Sequence, residues 1–208
     1  MSICWSPKGG TGVTITAAAL ARHRAPRGDT ILVDLAGDLA AALGSATDTP
    51  GVSDWLAHPD APPDALRALE LEVVAGLRLL PAGAAPGVAF DPERSAMLLD
   101  LCDRSADHVV VDAGRLAVES EWWPASAESV VVVRNCYLAL RRLSALPERR
   151  RTVVLIEEAG RALSRRDVAG VAPGPVVAVP WDPGVARAVD AGLLASRLPR
   201  SLRNLERV

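Results

Sequence analysis

Short β-branched and apolar runs alternate along this chain with longer stretches rich in Ala, Leu and Arg. The runs predict strands at residues 3–5, 30–34, 77–80, 108–112, 129–133, 152–156 and 176–179. The stretches between them predict helices at 13–23, 64–71, 92–103, 137–146, 164–169 and 183–191. Pro92 and Pro183 suit first helical turns, and Asp91 and Asp182 suit the caps before them. Continuous runs such as Val109-Val110-Val111 and Val130 to Val133 are what strands buried on both faces look like. The expected fold class is α/β, a doubly wound and mostly parallel sheet with helices on both faces. Residues 57–63 and 81–87 read as surface loops. No compositional shift or repeat marks a boundary, so one domain is expected over residues 1–208.

Composition narrows the function classes. A net charge of −2 gives no general attraction to nucleic acid. No run approaches the roughly 20 apolar residues that a bilayer-spanning helix needs. The first residues already read as a strand, so no signal peptide is expected. Cys4, Cys102 and Cys136 are scattered in apolar surroundings and read as buried, reduced thiols, which suits a cytoplasmic location. His23, His58 and His108 show no ligand spacing.

The chemistry concentrates at Lys8-Gly9-Gly10-Thr11-Gly12-Val13-Thr14, between the first strand and the first helix. A glycine-rich turn there directs backbone N–H groups into a concavity, and the helix dipole adds positive potential. The general phosphate-loop pattern is G-x-x-x-x-G-K-[ST]. Gly12 and Thr14 fit it, but Val13 stands where the lysine belongs. The alternative is a glycine-rich strand-to-helix turn that binds nothing, against which stands the early Lys8 before the glycine pair. Three acidic residues also fall at strand ends, where open α/β sheets gather ligands: Asp34, Asp112 and Asp182. Asp at a strand end is often a cap or turn residue. Asp112 stands apart, because it closes an apolar run and a hydrated Mg²⁺ near Thr14 would require a carboxylate.

The whole string resembles K-G-G-x-G-K-[ST], the deviant phosphate loop of the MinD/ParA superfamily. Ile31 to Gly44 is similar to a shortened second-strand segment of CpaE/TadZ-like members. Pro50 to Leu56, Gly76 to Gly83 and Val179 to Ala188 are similar to further segments in the same order. The resemblance implies a P-loop NTPase-like fold binding ATP or ADP with Mg²⁺. Lys8, Gly9, Gly10, Thr11, Gly12, Val13, Thr14 and Ile15 would then cradle the nucleotide, with Pro180 and Asp182 near the adenine. It implies Thr14 and Asp112 at the metal, and Lys8 and Asp34 as catalytic residues, with Lys8 crossing to the partner in a homodimer. Gly114 would sense the terminal phosphate. Arg115 beside it would either supply positive charge to the site or stand as a solvated loop residue, the second being the simpler reading.

The departures define the expected function. Val13 removes a cation from the phosphoryl group, which costs several kcal/mol of charge stabilisation. The usual D-x-D is Asp34-Leu35-Ala36, with Asp38 displaced into a Gly37-Asp38 pair, and Ile15 replaces a hydroxyl residue. Ile156-Glu157-Glu158 stands where the family reads adenine with an Asn. The expected function is therefore a degenerate MinD/ParA-like protein. It would act as a spatial-organisation or regulatory interaction module with a protein partner and little or no hydrolysis. The alternative is an active ATP-dependent dimerisation switch that positions DNA, pili or division machinery. Arg141-Arg142, Arg149-Arg150-Arg151 and Arg165-Arg166 would serve DNA only if they converged, and the net charge favours solvated helix ends. Leu198, Leu202 and Leu205 form a short C-terminal stripe, interrupted at Pro199. It is expected to dock on the protein's own core rather than on a membrane surface.

Overall fold

The computed structural model describes residues 1–84, 91–115, 122–147, 149 and 151–208. Eight strands form one sheet: β1 (Ser2–Trp5), β2 (Thr30–Asp34), β3 (Leu71–Val74), β4 (Leu77–Leu80), β5 (His108–Asp112), β6 (Glu128–Arg134), β7 (Thr152–Glu157) and β8 (Val176–Pro180). Their spatial order is β3-β4-β2-β5-β1-β6-β7-β8. Every neighbouring pair is parallel except β3 with β4. The helices are α1 (Val13–Arg24), α2 (Leu39–Leu43), α3 (Val52–Leu56), α4 (Pro63–Arg67), α5 (Pro92–Ser105), α6 (Tyr137–Ser144), α7 (Arg165–Val171) and α8 (Pro183–Asp190).

The side-chain period of two sorts each strand between two apolar layers. Ile3 and Trp5, Val109 and Val111, Val131 and Val133 face one layer, which the residues of α3 to α7 close. Cys4, Val110, Val130 and Val132 face the other, closed by the Ala-rich α1 together with α2. Burial of both faces explains the uninterrupted valine runs. The sheet order reverses around β1, which lies between β5 and β6, and ligands in open α/β sheets collect at such switch points.

Three departures from the sequence reading have physical causes. The helix expected over 64–71 stops at Arg67, and Leu71 instead begins the antiparallel edge strand β3. Gly76, at φ +78°, makes the turn that returns the chain into β4. The supposed surface loop after β4 begins buried, because Val52 N and Ser53 N donate to Pro81 O and Ala82 O at 2.8 Å each. Residues 85–87 of that loop lie outside the described residues. Helices α2 and α3 are five residues each, too short to show a period.

After α2, Gly44 packs directly on Gly192 behind α8; a Cβ built on Gly44 would lie 2.2 Å from Gly192 O. Leu202 and Leu205, in a 3-10 segment at Arg200–Arg207, are buried in the layer with α1. The leucine stripe thus docks on the core. Among the described residues, no helix is long and apolar enough to cross a membrane. Cys4 and Cys102 are buried and free; Cys136 is half-buried and also free.

Leu205 has no exposed surface. Leu205→Ala should destabilise the protein by about 2–4 kcal/mol, read as a lower urea midpoint at unchanged slope. Arg203→Ala, two residues before it and exposed, should stay within about 0.5 kcal/mol of the parent.

Candidate functional site

The loop after β1 is braced from three sides. Lys8 N donates to Ser6 Oγ at 3.1 Å, and that hydroxyl donates to Lys8 O at 2.8 Å. Arg142 of α6 donates from Nη1 to Pro7 O at 2.8 Å. Gly12 caps α1 at φ +96°, a left-handed conformation that a side chain would resist. The first turn of α1 has neither a side-chain cap nor an acidic residue, so its free N–H groups and dipole remain uncompensated. Thr11 Oγ1 is buried here without a hydrogen-bond partner. Val13 is 8 % exposed and belongs to the apolar layer beneath.

The acidic strand ends take different roles. Asp34 accepts from Ala36 N at 3.0 Å, Gly37 N at 2.6 Å and Leu39 N at 3.0 Å. Its carboxylate therefore anchors the turn into α2 and does not line the cavity. Burial raises its pKa, against the pull of those three amides. The carboxylate that this segment presents to the cavity is Asp38, although the sequence displaces it into the Gly37-Asp38 pair. Asp112 is fully buried, and its Oδ1 accepts from Gly114 N at 3.0 Å. Its Oδ2 has no hydrogen-bond partner. Burial, with Asp34 and Asp38 nearby, pushes its pKa up to about 7, while the Thr14 hydroxyl and Gly114 N pull it down.

A cavity of about 760 Å³ opens over the loop, lined by Gly10 to Ile15, Asp38, Gly114 and Arg115 among others. Arg115 is exposed, and it also lines this cavity. A second cavity of about 270 Å³ shares Thr11, Gly12 and Ile15 with the first and runs toward Arg134, Ile156, Pro180, Trp181 and Asp182. The joined volume suits a small-molecule ligand with one polar and one apolar end. Asp182 caps α8, accepting from Gly184 N at 2.7 Å and Ser201 Oγ at 2.8 Å, and the first of these bonds does most to lower its pKa.

The structure thus gathers Gly10, Thr11, Gly12, Val13, Thr14, Ile15, Pro180 and Asp182 around two adjoining cavities that share part of their lining. Gly9 borders the first beneath Arg115, and Asp112 lies buried below. Lys8 turns away: its Nζ is exposed and approaches Gly9 O at 3.4 Å. Arg134 and Trp181 are lining residues that the sequence does not single out. Arg134 carried a signal, since it ends the β6 valine run at a carboxyl terminus of the sheet. Among the described residues the arginine clusters do not form one free face: Arg151 is buried and donates to Pro147 O and Arg149 O, and Arg142 braces the loop.

No protein-family model matches the chain, and no curated protein matches it. Solved structures do. A ParA family ATPase from Chlorobium tepidum superposes with TM-score 0.77 at 22 % identity, over 98 % of this chain and 95 % of that one. The fold is the ParA/MinD fold. A chain of the MinC:MinD cell division protein complex from Aquifex aeolicus gives 0.76 at 19 %, over 99 % and 93 %. The septum site-determining protein MinD complexed with Mg-ADP from Pyrococcus horikoshii gives 0.74 at 19 %, over 99 % and 94 %.

In this ParA/MinD fold, the donor set suits a divalent cation associated with a phosphate. The buried Asp112 Oδ2 lacks a partner, and the Thr14 hydroxyl stands beside the same carboxyl group. Among the described residues, no cluster of three or more His, Cys, Asp or Glu could hold a metal unaided. A cation here would need ligand oxygens or water to complete its shell.

Asp112 also sets a pH dependence. Its folded pKa lies above that of the unfolded chain, so between about pH 4 and 7 the folded state binds the extra proton. In metal-free buffer its contribution therefore makes stability fall as pH rises through that window, then level off. Asp112→Asn should flatten the profile and be more stable than the parent at pH 8, read by urea denaturation from pH 4.5 to 8. An unchanged profile would contradict the assignment.

Proposed function

We propose that the chain is a degenerate member of the MinD/ParA superfamily, of the CpaE/TadZ-like branch, that holds a nucleotide without turning it over efficiently. The observation that carries this reading is a phosphate cradle with a valine in its lysine position. Gly12, the uncapped start of α1 and the partnerless Thr11 Oγ1 support phosphate binding. Val13, facing an apolar layer, supplies no charge to a phosphoryl group in flight. Thr14 and Asp112 would hold Mg²⁺, which would neutralise phosphate charge at the loop. Asp34 is spent on the β2–α2 turn and is poorly placed to orient an attacking water.

The reading extends to a spatial-organisation or regulatory role in the cytoplasm, exerted through a protein partner. The MinD chain of the Aquifex structure is in complex with MinC, and a comparable partner surface is proposed here. One domain over 1–208 carries the activity. DNA is not favoured as a partner, since Arg142 and Arg151 are engaged within the fold.

Calorimetric titration should give saturable binding of ATP·Mg²⁺ and ADP. Phosphate release should lie at least about two orders of magnitude below that of a lysine-bearing relative assayed alongside. Comparable turnover that Asp112→Ala abolishes would overturn the degenerate reading in favour of an active switch.

Self-association follows from Lys8. A dimer formed face to face across the loops would bring two exposed ammonium groups together, unfavourably unless phosphate lies between them. Light scattering should therefore report a monomer without ligand, or a dimer that is indifferent to Lys8→Glu. A ligand-free dimer that Lys8→Glu dissociates would contradict this.

A further inference from the structure

We infer that Arg115 supplies, from within the same chain, the positive charge that Val13 withholds, so that phosphate binding at this loop depends on arginine. The inference rests on the proposed nucleotide site and names the residue that makes it attractive to phosphate.

Arg115 is placed by backbone constraints rather than by chance. Ser6 N donates to Gly114 O at 3.0 Å, which ties the chain after β5 to the start of the loop. Gly114 sits at φ +57°, and a Cβ there would approach Ala36 Cβ to 2.9 Å. This left-handed turn, open only to glycine in so tight a fit, sends the next residue across the loop. The Arg115 stem then crosses Gly9: a Cβ built on Gly9 would lie 3.3 Å from Arg115 Cδ. A side chain at position 9 would press on the arginine, so the glycine leaves room for it.

Charge makes the case stronger. The charged residues lining the cavity over the loop are Asp38, Asp190 and Arg115, and Arg115 is the only basic one among the described residues. Without it, a phosphate entering the cavity would meet carboxylates on the walls and the half-charge of α1 at the floor. Of the other basic groups nearby, Arg142 is bonded to Pro7 O, Lys8 Nζ approaches Gly9 O on the exposed side, and Arg134 lines the adjoining cavity, with its Nη1 4.0 Å from Glu158. Arg115 has no ion-pair or hydrogen-bond partner among the described residues and is exposed at the cavity. An unpaired guanidinium over a backbone anion cradle carries a planar fork of donors matched to phosphate oxygens. In the general pattern the loop cation rises from the first turn of the helix. Here it reaches in from the turn after β5, on the opposite wall.

The test compares wild type, Arg115→Ala, Val13→Lys and the double variant by calorimetry, with ATP·Mg²⁺, ADP and inorganic tripolyphosphate as probes. Melting temperatures confirm that each variant folds. Arg115→Ala should weaken binding about tenfold to a hundredfold, the loss of one charge-assisted phosphate contact. Val13→Lys should restore it and gain more in that background than in wild type, as two cations serving one phosphate require; equal gains in both backgrounds would make Arg115 merely structural and overturn the inference. Equal affinity of wild type and Arg115→Ala would overturn the inference while leaving the nucleotide site intact. Arg115-dependent binding of tripolyphosphate without binding of either nucleotide would uphold it and remove the nucleotide reading. Failure of wild type to bind any of the three probes would overturn both.

Discussion

Three backbone hydrogen bonds carry the sheet beyond the ends of its strands, and the site is built on them. Ala113 N donates to Cys4 O, Leu35 N to Asp112 O, and Ser6 N to Gly114 O, at 2.9–3.0 Å. They hold the exits of β1, β2 and β5 at one level, so three different loops begin from a common rigid edge. The phosphate-type loop, the turn that presents Asp38 and the turn that presents Arg115 owe their mutual positions to this edge. Function carried by loops on a rigid scaffold needs such an anchor. Here it is made of main-chain atoms and does not depend on side-chain identity.

The sheet was legible from sequence because burial on both faces leaves an unmistakable trace. Val109 to Val111 and Val130 to Val133 can hardly be anything but central strands. Strand β3 was not legible, since Leu71 to Val74 is a half-exposed edge whose residues neither alternate cleanly nor form an apolar run. The site split along similar lines. The glycine loop and Asp112 announce themselves by local spacing, and the structure brings both to the same place. Asp34 and Asp38 exchanged their expected orientations because the backbone amides of the β2–α2 turn claim the first carboxylate. Arg115 stands out in the sequence as a charge beside Gly114, but its place at the loop was not legible, for another reason. Its relation to Gly9 spans more than a hundred positions and depends on a single positive φ at Gly114.

Burying Asp112 beside Asp34, with one carboxylate oxygen unpartnered, works against stability. Such an arrangement is expected where a site is kept for binding rather than for folding, since an ionised carboxylate in low dielectric is penalised until a cation or proton answers it. The apolar floor under Val13 has the opposite tendency, favouring the packed, ligand-free layer. The loop region therefore combines one element strained toward a ligand with another that is content without one.

Gly44 and Gly192 touch through their backbones, with no side chain between them to absorb movement. One follows α2, the helix whose first turn is pinned by Asp34; the other follows α8, which lines the apolar end of the cavity. The two ends of the cavity are thereby joined by a hinge pin of main-chain atoms. A displacement of the β2–α2 turn toward α8 would meet main-chain atoms directly, with no side chain between to take it up by changing rotamer. The outer surface of α8 and the exposed Trp181 before it would then move with the phosphate end, so a partner resting there would feel its state without touching it.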